Sequence, residues 1–597
     1  MVSFFKLRKD IKKMIFYDFE VTKFNYLVVF IDSITQEYTL INDDQNSLKE
    51  FYEQHKNDLY CAYNGKHYDQ FIYRSILLSL NPYDVSRYII EYEQSGWSYP
   101  MFKNSKDGFY INQVDVAEIT DGGLKFLESQ MGEDIEESEI DFNINRPLTV
   151  DEINKLFKYC IHDVEQAMLV AHERFAKIES NLALIKKFNM PLKYIGCTGA
   201  QITERILKAK EQQQMMEQFN IRIPNTIELK KYKYVAEWYL DKNNHDYDKS
   251  LITTISNVPC VFAWGGLHGA IQKYIENGLY FMIDVNSMYP SIMREYDLLS
   301  RTVTGENRNK FYQMIDDRLV YKKAKNKVMA NAYKLIINSC YGAMKQMTNK
   351  LYDPLNANLI CIFGQLFILD LCEHLEGLCK LIQINTDGIL IKITDESCII
   401  NIKDEIRKWE RRTRLTMEIE EYTRIIQKDV NNYIAVKSDK SYKCKGAYVK
   451  ELSKLDNNDG VINEAIKEFF INDVKPIDFV NNCTSLQSFQ HTIKLTKNYK
   501  NMYHNNKKLN GRVFRVFASN DDNDGALFKC KANGKIEKCA NTPQHCFIYN
   551  GNINDLRPSE ENEILKKINR TYYYDIAYER IEEFGFTHNE NGQIKLF

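Results

Sequence analysis

The sequence predicts a multidomain chain of mixed α/β and α+β class, and three observations carry that expectation. Its 597 residues are more than one hydrophobic core organises. β-like apolar runs at 14–19 and 27–31 lead into mixed helix and strand text up to about residue 180, as in one compact domain. Farther on, strand-like runs around 281–284 and 381–393 bracket a Lys-rich helical segment from about Asp316 to Gly342. Two strand regions enclosing helices read as one sheet with a helical excursion, and the stretch from 181 to 257 reads as helical and polar.

Composition narrows the classes. Hydrophobic residues make up 44% of the chain, enough to fill several cores. Lys and Arg total 79 against 81 Asp and Glu, a net charge of -2, so bulk charge does not mark a polyanion binder. An enzyme that gathers metal-binding carboxylates loses positive charge where it works, so local clusters must decide. The 14 cysteines are scattered, the N-terminus lacks a signal-peptide pattern, and a reducing, cytoplasmic setting is expected. The most apolar stretch, 359–369, is interrupted by Gly364 and Gln365 and reads as too short for the roughly 20 residues of a membrane span. No repeat and no low-complexity linker marks a domain edge.

A first carboxylate cluster begins at Asp18-Phe19-Glu20, where the strand period of two sets both side chains on one face. Like charges so placed favour a divalent cation between them. Asn64-Gly-Lys-His-Tyr-Asp69 adds a third carboxylate. Tyr159-Cys-Ile-His-Asp163 adds a fourth, on a helix that Thr149-Val-Asp-Glu152 opens with a capping box, and Tyr159 and Asp163 share a face at i and i+4. Each motif alone is weak, because Asp-x-Glu on a solvated strand is the commoner event. Their order and residue types resemble the exonuclease domain of family B DNA polymerases, with four acidic residues in three motifs and a tyrosine four residues before the last.

A second cluster is more specific. Phe281-Met-Ile-Asp284-Val285-Asn-Ser-Met-Tyr289-Pro290-Ser291 is an apolar strand that runs into a carboxylate and then a Pro-assisted helix start. Lys334-Leu-Ile-Ile-Asn338-Ser-Cys-Tyr341-Gly342 follows, and on a single helical wheel Lys323, Lys327, Lys334, Asn338 and Tyr341 fall on one side. Such cations suit a triphosphate, although a Lys run such as 322–327 is ordinarily a solvated face. Asn385-Thr386-Asp387-Gly388 reads as two strands meeting at a tight Asp-Gly turn. These three stretches resemble the polymerase motifs of the same family. The family usually carries Asp-Thr-Asp at the third, so Asn385 is a departure, and the combination looks like a phage or plasmid variant.

The resemblance implies an RNase-H-like exonuclease domain followed by a right-hand polymerase. Its parts would be the exonuclease domain at 1–180, a helical connection at 181–257, palm at 258–315 and 346–435, fingers at 316–345, and thumb with the C-terminal region at 436–597. For hydrolysis it implies that Asp18, Glu20 and Asp163 ligate metal, that Asp69 completes the site directly or through water, and that Tyr159 orients the attacking water. For synthesis it implies that Asp284 and Asp387 ligate two magnesium ions with the Val285 carbonyl, manganese being able to substitute, and that Tyr289 packs under the sugar and excludes a 2′-hydroxyl. Trp264-Gly265-Gly266 stands where the family has a loop guiding the strand between the two sites, and Lys443-Cys-Lys445-Gly446 stands where it has a primer-binding lysine. With Asn64 these are the expected DNA contacts. Cys530, Cys539, His545 and Cys546 lack a close Cys-x₂₋₄-Cys pair, so their spacing argues against zinc.

The expected partners are primer-template DNA, deoxynucleoside triphosphates and replication accessory proteins, in the cytoplasm of an infected or plasmid-bearing host. Two other readings stay open: a primer-template-binding protein that has lost synthesis, and a nuclease alone. Only 50 positions separate Asp284 from Lys334 and 53 separate Lys334 from Asp387, which leaves little room for the insertions of the protein-primed branch. An ordinary primer and no terminal protein are therefore expected.

Overall fold

The computed structural model describes residues 13–103, 108–211, 217–588 and 594–596. The chain forms two compact units, one of Met1–Gly196, Leu452–Val461 and Cys483–Tyr573, the other of Cys197–Glu451, Ile462–Asn482 and Tyr574–Phe597.

The first unit is built on a five-stranded sheet of β1 (Met14–Val21), β2 (Tyr26–Asp32), β3 (Tyr38–Asn42), β4 (Leu59–Ala62) and β5 (Asn112–Asp115), in the order β3-β2-β1-β4-β5. β2 runs antiparallel to β1 and β3, while β4 lies parallel to β1 and β5 parallel to β4, the RNase-H-like arrangement. β1 is covered on both faces. Its alternation sends Met14 and Phe16 into a core with Leu156, Cys160, Val164 and Met168 of the helix Val150–Glu173, and Ile15, Tyr17 and Phe19 into the opposite core. Asp18 and Glu20 continue the first set and so face that helix. Its start is the expected capping box, with Thr149 accepting from the Glu152 amide and the Glu152 carboxylate accepting from the Thr149 amide at 2.8 Å.

Two smaller sheets complete this unit, one pairing His491–Lys494, Val513–Ala518 and Cys546–Ile548, the other Lys507–Lys508, Tyr499–His504, Leu527–Lys531 and Ile536–Lys538. The stretch expected as thumb and C-terminal region is thus shared between the units, and its 452–461 and 483–573 parts belong with the RNase-H-like sheet. Cys539 and Cys546 fill a small core with Met502 and Leu527, and His545 Nδ1 bonds the Asp524 carbonyl at 2.7 Å.

The second unit holds a nine-stranded antiparallel sheet of β6 (Ser250–Ile255), β7 (Val258–Ala263), β8 (Gly266–Ala270), β9 (Tyr274–Val285), β10 (Lys380–Ile384), β11 (Gly388–Ile393), β12 (Met417–Asp429), β13 (Asn432–Val436) and β14 (Tyr442–Lys445). Its order is β14-β13-β12-β9-β11-β10-β8-β7-β6, which makes β9 a central strand. The helix Pro354–Leu375 is the apolar heart of this unit. Asp353 caps its start, accepting from the Asn356 amide at 3.3 Å while Arg301 grips the same carboxylate at 2.7 Å. At 22 residues this helix is long and apolar enough to cross a membrane, which corrects the shorter extent expected for it, and its apolar window is wholly buried inside the fold. Gly364 and Gln365 do not end it: Gly364 packs near Met288 and Tyr289, and Gln365 is satisfied by the Ala263 carbonyl at 2.9 Å.

The helical excursion also differs from the single helix expected over 316–342. It is two helices, Glu306–Lys323 and Lys327–Met344, broken where Lys325 takes a left-handed φ of 56° and Asn326 caps the second helix by accepting from the Met329 amide at 3.1 Å. Lys323 therefore belongs to a different helix from Lys327, Lys334, Asn338 and Tyr341, and one helical wheel does not describe the five.

Candidate active sites

In the first unit, Asp18 and Glu20 from β1 meet Asp163 from the long helix, with ligand-capable oxygens of all three within 4.8 Å of one another. Burial, followed by the neighbouring carboxylates, pushes Asp18 and Glu20 well above the usual carboxylate range. Asp69 is 2% exposed, opens the helix Asp69–Leu77, and accepts from the Phe19 amide at 3.0 Å, which ties it to β1 between the other two. Burial drives its acid up to about 7. Asp18, Glu20 and Asp69, buried together beside the Asp163 carboxylate, offer the oxygen donors that fit hard divalent cations.

A residue that sequence reasoning missed completes the centre. Lys125, on the helix Leu124–Met131, pairs with Asp163, stands 3.2 Å from Glu128, and lies 4.6 Å from the centre of the Tyr159 ring. Its ammonium thus touches both the expected ligand Asp163 and the expected water-orienting Tyr159. Glu128 is fully buried and adjoins His162 at 3.7 Å. The turn at Asn64 is held by Asp115, which accepts from the Asn64 amide at 2.8 Å and the Lys66 amide at 3.0 Å, and it leaves the Asn64 side chain exposed beside the motif that ends in Asp69. Gly65 suits that turn, since a Cβ there would lie 2.6 Å from the Ala62 Cβ, which cannot swing aside.

In the second unit, the register brings the other carboxylates together. Asp284 at the end of β9 is paired across the sheet with Gly388 on one side and Glu418 on the other. The Val285 amide donates to the Asp387 carbonyl at 2.7 Å, and the Asn385 amide donates to the Gly388 carbonyl at 2.8 Å, so the β10–β11 hairpin closes tightly against β9. Burial pushes Asp284 up to about 6; Lys443 opposes the shift, and Asp387, Glu420 and Glu418 add to it. Lys443 Nζ stands 3.7 Å from Asp284 and 3.8 Å from Glu420. Oxygen donors repelling one another beside a lysine again suit hard cations.

Tyr289 lies on the helix Met288–Glu295, half-buried, with its ring centre 4.5 Å from that of Tyr341 and its hydroxyl donating to Cys361 Sγ at 3.9 Å. Lys327, Lys334 and Asn338 are exposed on the second excursion helix. The basic group that the first excursion helix brings to the Asp284 motif is Arg318, donating to Ser287 Oγ at 2.8 Å. Lys345 lies 4.9 Å from the Tyr341 ring centre. Neither was predicted: the break at 324–326 sets the orientation of the first helix, and no local pattern announces it. On β14, Lys443 stands near Asp284, Cys444 pairs across to Ile434, and Gly446 has a φ of 106° where a Cβ would meet the Asn431 carbonyl at 2.2 Å. Lys445 pairs with Tyr433 and bears electrostatically on His268.

Trp264 departs from the expectation. It is 2% exposed, packed among Phe219, Trp238, Tyr239, His245 and Tyr247, with its indole N–H on the Asn244 carbonyl at 3.2 Å, so its side chain serves the core and is not offered to DNA. The neighbouring turn behaves otherwise: Gly265 is exposed with open space about it, and a Cβ on Gly266 would lie 3.0 Å from Thr386 Oγ1 of the hairpin. Among the described residues, two groups of three or more metal-competent side chains converge, Asp18/Glu20/Asp163 and Glu128/His162/Asp163, and neither includes Cys530, Cys539, His545 or Cys546.

No protein-family model matches the chain. Among solved structures, the family B DNA polymerase from the hyperthermophilic archaeon Pyrobaculum calidifontis aligns with 96% of this chain and 78% of its own, at 13% identity and a TM-score of 0.41. Among curated proteins, DNA polymerase 1 of Saccharolobus solfataricus is 26% identical over 264 residues, which are 36% of this chain and 29% of that protein. The match thus spans less than a third of the relative's length, and over that stretch the chain is similar to a DNA polymerase.

Proposed function

We propose that this chain is a template-directed DNA polymerase of the family B type with an intrinsic 3′→5′ proofreading exonuclease, serving a phage or plasmid replicon in the cytoplasm of its host. The observation that carries the reading is the juxtaposition of Asp284 and the Asp387 turn across the β9–β11 register. A carboxylate pair at the end of a central strand, beside a tyrosine and a helix of exposed lysines, would suit in-line nucleotidyl transfer.

Asp284, Asp387 and the Val285 carbonyl would hold a magnesium pair, and Asp18, Glu20, Asp163 and Asp69 a second pair. When bound, such ions neutralise phosphate charge and lower the pKa of the attacking hydroxyl or water. The chain's own groups do the rest. Lys327, Lys334 and Asn338, with Arg318, would bind and orient the triphosphate of a deoxynucleotide. Tyr289 and Tyr341 form an aromatic floor that would seat the sugar and exclude a 2′-hydroxyl. Lys443, Lys445 and Gly446, with Gly265 and Gly266, are the proposed backbone contacts to primer-template DNA. At the hydrolytic centre Tyr159 would orient water and Lys125 would hold Asp163 and Tyr159 in place.

The excursion helices occupy about half of the chain between Asp284 and Lys334, and the end of the second of them, the helix Pro354–Leu375 and β10 together occupy most of that between Lys334 and Asp387. The longest remaining connections, 296–305 and 345–353, leave little room for an inserted subdomain and support extension of an ordinary RNA or DNA primer, with no terminal protein and with accessory proteins acting from outside. Primer extension in magnesium, with and without deoxynucleotides, tests the whole reading. Template-dependent lengthening with nucleotides and primer shortening without them are expected. Shortening alone would leave a nuclease, and binding with neither would leave a primer-template-binding protein.

A further inference from the structure

Arg515 is fully buried on the strand Val513–Ala518, and every hydrogen bond given by its guanidinium goes to a backbone carbonyl. Its guanidinium donates to Glu133 at 2.7 Å, Ser129 at 3.2 Å, Glu128 at 3.4 Å and Gly551 at 2.7 Å. Burying a guanidinium is costly unless its donors are satisfied, and here Nε and Nη2 are spent on the last turn of the helix Leu124–Met131 and the residues just after it, while Nη1 holds the Gly551 carbonyl.

That helix has little stability of its own. It is eight residues long, is flanked by Gly123 and by Gly132 in the left-handed region at φ 79°, and has no side-chain cap at its start. The strand His491–Lys494 and its approach supply further anchors: Thr492 Oγ1 bonds Ser129 Oγ at 2.8 Å and Gln130 Nε2 at 2.6 Å, and Gln490 Nε2 bonds the Gln130 carbonyl at 3.0 Å. Ser129, Gln130, Gln490, Thr492 and Arg515 are all buried, so water cannot replace these bonds. One turn earlier the same helix presents Lys125 to Asp163 and Tyr159.

We propose that Arg515 is a positioning residue for strand degradation: a side chain from the C-terminal part of the chain fixes the short helix that carries Lys125, and thereby sets the geometry at Asp163 and Tyr159. The inference rests on the exonuclease reading above. It follows that the 483–573 segment is a structural component of the hydrolytic centre.

The test is a double-mutant cycle on single-strand degradation by the full chain, with kcat and KM measured separately for Arg515→Lys, Lys125→Ala and the pair. Arg515→Lys keeps the charge and loses the fork; it should lower kcat by about tenfold with KM unchanged, as expected for small misplacement of a catalytic group. Lys125→Ala should lower kcat at least as far, and the double variant should be no slower than Lys125→Ala, because both changes act through one ammonium. Should Arg515→Lys fail to fold, Thr492→Val removes the neighbouring anchor and should show the same non-additivity. Wild-type kcat in a folded anchor variant, multiplicative losses in the double variant, or wild-type kcat in Lys125→Ala each overturns the proposal. Degradation that survives Asp18→Ala with Glu20→Ala would instead overturn the exonuclease reading beneath it.

Discussion

Gly388→Ala should abolish most synthesis while leaving the rest of the chain in place. An added Cβ would lie 2.0 Å from Asp284 Oδ1 and 2.5 Å from the Ile283 carbonyl, whereas real Cβ contacts stay beyond 3.0 Å. Both obstacles sit on β9, a central strand paired on both sides, so the strand cannot yield and the hairpin must back away by about 1 Å. Such overpacking costs on the order of 1–3 kcal/mol in stability. The larger effect is on chemistry, because the retreat separates Asp387 from Asp284, and a displacement of about 1 Å costs roughly 100-fold in rate, about 2.7 kcal/mol. Single-turnover primer extension at saturating deoxynucleotide reads the rate, and degradation of a single strand by the same preparation serves as control, since its carboxylates lie in the other unit. Extension within threefold of wild type by a folded Gly388→Ala protein would refute the argument that the β9–β11 contact sets the distance between the two carboxylates.

Four other perturbations follow from the same geometry. Asp18→Ala with Glu20→Ala should remove single-strand degradation and leave extension intact, checked on one labelled primer with and without nucleotides. Asp387→Asn should remove synthesis at saturating magnesium, whereas Asn385→Asp should be tolerated, because the Asn385 amide closes the hairpin whichever side chain it carries; robust extension by Asp387→Asn would sink the metal assignment. Tyr289→Ala should raise ribonucleotide use relative to deoxynucleotide by roughly tenfold or more, read from competing incorporation. Asp69, with its acid raised to about 7, binds its proton more tightly folded than unfolded, so its contribution to stability is full below the unfolded value of about 4 and is lost as pH rises to about 7, a change of order 4 kcal/mol. In chelator, the thermal midpoint of Asp69→Asn should therefore gain on wild type between pH 4 and 7, magnesium should shrink the gap, and parallel curves would refute the assignment.

What could be read in the sequence was local. Strand parity sufficed to place Asp18 and Glu20 on one face, the capping box located the start of the helix that carries Tyr159 and Asp163, and Asp-Gly located the hairpin. What could not be read depends on partners far along the chain. The Lys-rich text contains no proline or glycine at 324–326, so the break there, made by a left-handed Lys325 and a capping Asn326, looks like uninterrupted helix, and with it went the roles of Lys323 and Arg318. Trp264 beside two glycines reads as a loop aromatic until Phe219 and Trp238 are seen closing over it. Lys125 follows Gly122-Gly123 in text that signals only a turn, and its helix is fixed by Arg515 and Thr492, more than 360 residues later.

The two centres solve one electrostatic problem in the same way. Each gathers carboxylates at or beside the middle strand of a sheet, where burial and mutual repulsion oppose ionisation, and in each a lysine stands against one of the proposed ligands, Lys125 at Asp163 and Lys443 at Asp284. The ammonium lowers the cost of assembling the carboxylates without cancelling it, since Glu20 stays well above the usual carboxylate range although Lys125 opposes the shift, and Asp284 is still pushed up to about 6 although Lys443 does. On the proposed reading, the residual negative charge would favour a small, highly charged cation over a monovalent one, because attraction grows with ion charge while the desolvation of the carboxylates is already met by the fold. Lysine at the edge would then tune a cation site without replacing the cation. Removing either ammonium should strengthen metal binding and weaken geometry together, so that activity and affinity move in opposite directions.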